Sequence, residues 1–332
     1  MRIAIDAFGG DNAPSEVLKG CQMAVCEDFN EKIIVVGDKE KIFSSAKKNN
    51  INLNKLEIFH ALDEISMEDA PQEIMRSKRQ SSMAKGLELL AKGEADIFLS
   101  AGNSGALIVG STFIVKRIKG VKRCAFAPIV PAYKTPFLLI DGGANIECTP
   151  SMIVQFGVMG SVYMKNVMKI KDPRVALLNI GVEECKGRSL HVEAFKTLKS
   201  SSLNFIGNIE ARELSKSGAD VVVTDGFTGN VVLKLYEGLA STFMKKTKDI
   251  FNKDFKNKFA SSLLFSDFQK FKKEISQEEH GGAPILGVSK PIFKIHGNSA
   301  AKSFKSAINL AISYAKTDVI RKISDAVCTF CS

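Results

Sequence analysis

The chain has 332 residues, 45% of them hydrophobic and 25% charged, with a formal net charge of +10 and a pI near 9.1. That composition excludes a disordered or fibrous protein, and the length suffices for one large α/β domain or two lobes around a substantial core. The basic balance points to anionic partners: phosphate groups, acidic proteins, anionic lipid or nucleic acid.

The chain opens with a predicted strand at Arg2–Phe8 and a helix over Ser15–Glu27. Strands follow at Lys32–Val36 and Lys55–Phe59, then a helix over Ser81–Lys92, a strand at Asp96–Ser100 and a helix over Gly105–Lys116. Next come strands at Cys124–Ile129 and Pro136–Ile140, a helix over Ser151–Met168, a strand at Arg174–Asn179 and a helix over Ser189–Lys199. Strands at Asn204–Ile206 and Ala219–Thr224 precede helices over Gly229–Ile250 and Ser299–Lys322. This alternation predicts a parallel sheet with helix crossovers. Runs such as Ala176-Leu177-Leu178 and Val221-Val222-Val223 suit strands covered on both faces.

No window approaches the ~18 consecutive apolar residues of a membrane span. The N-terminus lacks the pattern of a signal peptide, since Asp6 interrupts its first apolar run. The seven cysteines, at 21, 26, 124, 148, 185, 328 and 331, are expected to be reduced thiols in a cytoplasmic protein. Cys328 and Cys331 form a lone C-x-x-C with neither a second ligand pair nor a βα context, so it is assigned no metal or redox role.

One segment differs in composition. Met244–Lys273 holds nine Lys, three Asp and six Phe, with no Glu or Arg. Phe251, Phe255 and Phe259 recur every fourth residue, and Phe265, Phe268, Phe271 and Ile275 every third or fourth, which are helix-face spacings. The segment reads as a basic, Phe-rich helical excursion at about 240–278. Its Phe stripe packs on the protein or a partner subunit, or it touches membrane or an acidic protein.

The chemistry signal lies where strands end, because open α/β sheets bind ligands beyond the carboxyl ends of their strands. Polar, Gly-rich turns follow at Asp6–Pro14, Ser100–Ala106, Asp141–Asn145, Asn179–Gly187 and Thr224–Asn230. Glycine lets backbone N–H groups approach a ligand, and the following helix aims its partly positive N-terminus at the same place. Several such turns together point to phosphate or a phosphate ester. Arg76, Lys78 and Arg79, just before Ser81 and Ser82, are either a further phosphate or phosphopantetheine contact or a solvated basic loop. Ser81 or Ser82 can cap the next helix.

Neither G-x-G-x-x-G nor a P-loop follows a strand, and no G-x-S-x-G elbow, zinc-spaced cluster or H-E-x-x-H is present. Of the four His, His60 is expected to be structural, His191 lies on a polar helix face and His280 precedes Gly281-Gly282. Only His296, before Gly297, sits in a turn resembling the others.

In order and context these motifs resemble the phosphate acyltransferase family known as PlsX, from residue 1 to about residue 315. The resemblance rests on Gly9-Gly10-Asp11, Ser81-Ser82-Met83, Ser100–Ala106, Asp141–Asn145 and Val154–Ser161. It continues through Arg174–Gly181, Glu183-Glu184, Lys186-Gly187, Asp225–Asn230, Gly281–Val288 and His296-Gly297. Phe8 stands where the family usually has Met, Ser104 where it has Thr, and Gly143 adds a second Gly before Ala144. The segment from about 250 to 278 varies within the family.

The resemblance implies a single αβα sandwich over residues 1–332, or two lobes, with a mostly parallel sheet like that of isopropylmalate dehydrogenases and phosphotransacetylases. It implies transfer of a long acyl chain from acyl carrier protein to inorganic phosphate. The acyl phosphate then acylates glycerol 3-phosphate, which makes glycerol-3-phosphate acyltransferase a further expected partner. A homodimer, no metal or cofactor, and peripheral association with the inner face of the membrane are also implied, and the concentration of excess charge in one Phe-rich segment argues against a nucleic-acid partner.

Phosphate is itself the nucleophile in this reaction, so the protein's task is positioning and oxyanion stabilisation. The expected phosphate contacts are Asn103, Ser104 and the backbone of Gly102 and Gly105, with Gly9, Gly10 and Asp11 as further substrate-binding residues. Asn145, Asn179, Thr228 and Asn230 are expected oxyanion or phosphate donors, and Lys186 and Lys234 supply charge. Asp6, Asp11, Asp141 and Asp225 orient donors, and His296 gives a proton to the departing thiolate. Phe251, Phe255, Phe259 and Phe268 are the expected membrane or partner contacts. A metal-dependent hydroxyacid dehydrogenase on the same fold and a basic nucleic-acid-binding module are the alternatives. The first would need clustered Asp residues and an adenosine-binding loop. The second would need an Arg-rich, aromatic-interleaved groove.

Overall fold

The computed structural model describes residues 1–25, 29–275 and 281–331. The elements in chain order are β1 (Arg2–Asp6), α1 (Ser15–Ala24), β2 (Lys32–Gly37), α2 (Lys39–Lys48), β3 (Leu56–His60), α3 (Ser82–Lys92), β4 (Ile97–Ser100), α4 (Ser104–Gly110), β5 (Ala125–Phe126), β6 (Ile129–Val130), β7 (Phe137–Ile140) and α5 (Pro150–Asn166). They continue with β8 (Val175–Asn179), α6 (Ser189–Lys199), β9 (Phe205–Glu210), α7 (Ala211–Leu214), β10 (Val221–Val223), α8 (Gly226–Asn252), α9 (Phe255–Leu263), α10 (Phe265–Ile275), β11 (Ala283–Leu286), β12 (Ile292–Lys294), α11 (Ala301–Ala315) and α12 (Val319–Cys331). A 3-10 turn at Pro71–Met75 precedes α3, and a π turn at Ser111–Val115 follows α4. The predicted end of the first helix at Glu27, and His280, lie outside the described residues.

The strands form two sheets rather than one, in the orders β3-β2-β1-β4-β12-β11-β5 and β6-β7-β10-β8-β9. Pairing is parallel except at β11 with β12 and β5, and at β6 with β7. The chain changes sheets at Pro128. The predicted strand Cys124–Ile129 is split there, because proline has no N–H to continue a ladder. Ala127 N donates to Pro284 O (3.0 Å) on the first sheet's side, and Pro128 O accepts from Leu139 N (3.0 Å) on the second's.

Alternation along the strands builds three layers of core. Ile3, Ile5, Ile97 and Leu99 of the first sheet share one cluster with Leu138, Ile140, Val175, Leu177, Val221 and Val223 of the second. The buried sides of α1, α5, α6, α11 and α12 fill that shared layer. On the opposite faces, Ala4, Ile34, Val36 and Phe98 meet α3 and α4, while Leu139, Ala176, Leu178 and Val222 meet α7 and α8. Each large side chain buried in this way contributes about 1.5–3 kcal/mol. The helix α5 is apolar nearly all round and lies buried along most of its length.

Further departures from the predicted elements are local. The helix expected over Gly105–Lys116 turns to π geometry at Ser111. The one expected over Ser299–Lys322 breaks before α12, where Asp318 takes a φ of +54°. The helix α2 was not predicted; it is largely polar and is started by Asp38, whose side chain accepts from Lys41 N at 2.9 Å. Strands β11 and β12 are too short, at four and three residues, to show a period.

Candidate active site

Three strands of the first sheet, β1, β4 and β12, end side by side in polar turns. At their centre is the buried carboxylate of Asp6. Its Oδ1 accepts from Ser82 Oγ (2.6 Å) and Phe8 N (3.2 Å), and its Oδ2 accepts from Ser100 Oγ (2.7 Å). Burial pushes Asp6 above the ordinary carboxylate range, opposed by those hydrogen bonds and by the Lys294 charge. Ser100 Oγ in turn accepts from Gly102 N at 3.0 Å. The turn at Gly9 approaches so closely that a Cβ there would lie 2.6 Å from Gly102 N and 2.8 Å from Asp6 Oδ2, so only glycine fits.

Asn103 is spent on structure. Its Oδ1 caps α4 by accepting from Ala106 N (3.0 Å), and its Nδ2 donates to Ser66 O (3.1 Å), Met67 O (3.4 Å) and Asp69 O (3.0 Å). At the start of α4, the N–H groups of Ser104 and Gly105 have no acceptor among the described residues. They are the open donors of this turn.

The second sheet repeats the plan at the ends of β7, β10 and β8. The fully buried Asp141 carboxylate accepts from Phe126 N (3.2 Å), Gly143 N (3.0 Å), Ala144 N (2.9 Å), Asn145 N (2.7 Å) and Asn145 Nδ2 (2.8 Å). Burial still pushes its carboxyl upward. Asn145 Nδ2 also donates to Cys124 O at 2.8 Å, and Asn145 O accepts from Gly226 N at 2.7 Å. Asp225 caps α8 through Thr228 N (2.8 Å) and Thr228 Oγ1 (2.9 Å), and holds Arg188 Nη2 at 3.1 Å. Asn179 ties its own turn shut, with Nδ2 donating to Lys186 O (3.0 Å) and Oδ1 accepting from Ile180 N (2.8 Å).

The expected donors therefore divide into two kinds. The side chains of Asn103, Asn145 and Asn179 hold the turns in shape. Asn230 is half-buried against Gly143, and its carboxamide carries no protein hydrogen bond among the described residues. Lys234 and Lys186 are exposed and without a counter-ion among the described residues.

The helix α8 joins the two sets of turns. Asn230, Lys234 and Glu237 recur at helical spacing on one face of it. Glu237 Oε2 reaches His296 Nε2, in the turn after β12, at 3.3 Å. That carboxylate raises the His296 pKa above its ordinary value, against the opposing effect of burial. The face carrying Asn230 and Lys234 is thereby turned toward the strand ends of the first sheet.

The basic loop before α3 is less open than its sequence suggests. Lys78 pairs with Asp63 at 3.0 Å, and Arg79 Nε donates to Met75 O at 2.6 Å, leaving Arg76 exposed. Ser81 caps α3 through Ala84 N (3.3 Å), and Ser82 binds Asp6, so both hydroxyls point inward. His60 Nδ1 accepts from Lys39 N (3.2 Å) and His191 Nδ1 from Arg188 N (3.3 Å), and each starts a helix. Gly10 and Asp11 lie against Gly297, with Asp11 N on Gly297 O at 2.8 Å. Among the described residues no group of three or more His, Cys, Asp or Glu is arranged to hold a metal ion.

The sequence reading did not single out Arg188 or Lys294. The signal for Lys294 was a lone cation inside the apolar run Pro291–Ile295, immediately before His296-Gly297.

The Phe-rich segment folds as the outer half of α8 followed by α9 and α10, and its stripe splits. Phe251 and Phe268 are half-buried and meet edge to face, with centroids 5.2 Å apart; Phe243 and Phe271 pair likewise at 6.2 Å. Phe251 and Phe268 thus join α8 to α10 instead of facing outward as expected. Phe255, Phe259, Leu263, Leu264 and Phe265 remain exposed around the α9–α10 elbow. No helix among the described residues is long and apolar enough to cross a membrane.

A protein family described as "Fatty acid synthesis protein" matches residues 1–322. A phosphate acyltransferase of Clostridium acetobutylicum is 42% identical over 324 residues, covering 98% of each chain. One of Acetivibrio thermocellus is 45% identical over 323 residues, covering 97% of this chain and 95% of that one. Among solved structures, a phosphotransacetylase from Streptococcus pyogenes superposes with a TM-score of 0.63 at 14% identity, over 95% of this chain and 94% of that one. At that identity it shows the fold, an α/β architecture of largely parallel sheets as expected. With the family match over residues 1–322 and over 40% identity to these phosphate acyltransferases along nearly its whole length, the chain is a member of the family described as "Fatty acid synthesis protein".

Proposed function

We propose that the chain transfers a fatty acyl group from acyl carrier protein to inorganic phosphate, yielding acyl phosphate for phospholipid synthesis. The observation that carries this reading is the near-full-length identity to relatives named phosphate acyltransferase. The site supplies what the reaction needs. Phosphate is held at the strand ends by the open N–H groups of Ser104 and Gly105, with Lys234 and Lys186 adding charge. One phosphate oxygen attacks the thioester carbonyl carbon. Asn230 Nδ2 faces the oxyanion that develops, and the buried Asp141 and Asp225 carboxylates keep the turns around it rigid. Collapse of the tetrahedral species breaks the C–S bond, and His296, whose protonated form Glu237 favours, gives its proton to the pantetheine sulfur. The dehydrogenase and nucleic-acid alternatives find no support among the relatives.

The chain works as one αβα unit, paired as a homodimer, at the inner face of the membrane. The apolar elbow of α9 and α10, flanked by Lys253, Lys256, Lys258 and Lys270, supports surface contact with anionic lipid. The test of the reaction is to mix the protein with palmitoyl acyl carrier protein and measure free carrier thiol. Release that requires phosphate, with acyl phosphate trapped by hydroxylamine, supports the reading; release independent of phosphate rejects it.

A further inference from the structure

Lys294 ends β12 and lies opposite Ser100 in the parallel register with β4. Its Nζ donates to Ala101 O at 3.0 Å and to Ile295 O at 2.7 Å. Those carbonyls belong to two of the three turns that meet here. The third turn, at Gly9–Asp11, joins them through Asp11 N on Gly297 O. An ammonium has three N–H bonds, and its third has no acceptor among the described residues. The charged groups facing it are Asp6 from β1, Asp11 from the following turn, and His296 with its Glu237 partner from α8. The turn after β4 offers it the Ala101 carbonyl. Burying an ammonium is unfavourable unless anions compensate it, and Asp6 and Asp11 do so only in part, because burial still lowers Lys294.

We propose that Lys294 is the buried cation of the phosphate subsite, a positioning residue that clamps the Ala101–Gly105 turn and whose charge draws phosphate to the open N–H groups of Ser104 and Gly105. This rests on the phosphate acyltransferase reading. Burial lowers Lys294 to about 8, opposed by the Asp6 and Asp11 charges. A neutral amine keeps two N–H bonds for the two carbonyls, so the geometry of the clamp outlives its charge. Raising the pH through this value therefore weakens phosphate binding, an effect on KM distinct from the fall in kcat that follows loss of the His296 proton.

The experiment measures kcat and phosphate KM, expressed per dianion, from about pH 7 to 9.5 by phosphate-dependent thiol release. For the wild type the expected result is a phosphate KM that rises at least about fivefold, read separately from the fall in kcat as His296 loses its proton. Lys294→Arg keeps its charge throughout, so its KM stays flat across the range. Lys294→Met shows a KM raised about tenfold at neutral pH and no alkaline rise. A flat wild-type KM, or a Lys294→Arg profile that rises like the wild type, overturns the proposal; those two profiles decide it even if Lys294→Met does not fold. A wild type without phosphate-dependent thiol release at pH 7 overturns the acyl-transfer reading, and this proposal with it.

Discussion

At the scale of single residues, the site turns on which polar groups are already spent. Asn103 places its amide on three carbonyls and caps a helix. Asn103→Asp removes those donors and sets an acceptor against the carbonyls, so it is expected to cost ~1–3 kcal/mol of stability, read as a lower urea midpoint. Asn230 spends nothing on the fold, so Asn230→Ala should keep the midpoint and lose activity by roughly a hundredfold. Equal stability losses in the two variants would contradict the division. His296 is the titrating partner of Glu237. Glu237 raises its pKa, so the pair stabilises the folded state at low pH and that contribution fades as pH rises through the raised value. The same sign governs proton donation. Glu237→Gln should move the alkaline limb of kcat to lower pH, and a limb that stays in place would remove His296 from the proton step. The sequence showed Asn and Gly gathered at strand ends, which pointed to the candidate site. It did not show that Asn145 and Asn179 are consumed by Cys124 O, Asp141 and Lys186 O, because those partners are set by turns folding back across the chain.

At the scale of elements, α8 does two jobs. Its first turns are pressed against the Asp141 turn, where Gly229 leaves no room for a Cβ beside Asp141 O. Its outer half carries the α9–α10 elbow on the Phe243, Phe251, Phe268 and Phe271 contacts. Phe255→Glu with Phe259→Glu changes only exposed rings, so it should abolish co-sedimentation with anionic liposomes and leave acyl transfer in solution intact. Loss of thermal stability or of the proposed dimer, with lipid binding unchanged, would place these rings in an interface instead. Phe spacing in the sequence identified helices here, but only the fold shows which rings turn inward. Strand periodicity likewise revealed β1, β2, β4, β7, β8 and β10. It missed β11 and β12, and with them Lys294, because three or four residues between Gly and Pro carry too little pattern.

At the scale of the molecule, one core layer runs under both sheets, so the two sets of turns face each other on a common support. Nothing in that arrangement requires a side-chain nucleophile. Cys148 lies beside the Asn145 turn, but burial pushes its thiol up to about 12, leaving almost no thiolate at neutral pH. Cys185 is exposed on the loop that carries Lys186. Replacing both with Ala is expected to keep turnover within about tenfold, or ~1.4 kcal/mol; a larger loss with the fold intact would implicate a thiol. The central claim, that phosphate attacks the carrier-bound thioester directly, is tested most directly by a single turnover without phosphate. With enzyme in excess over palmitoyl acyl carrier protein, the account predicts no free thiol and no change in the enzyme's intact mass. Adding phosphate then releases one thiol per thioester, with acyl phosphate as the product. Thiol released before phosphate is added, with the enzyme heavier by one palmitoyl group, would contradict it.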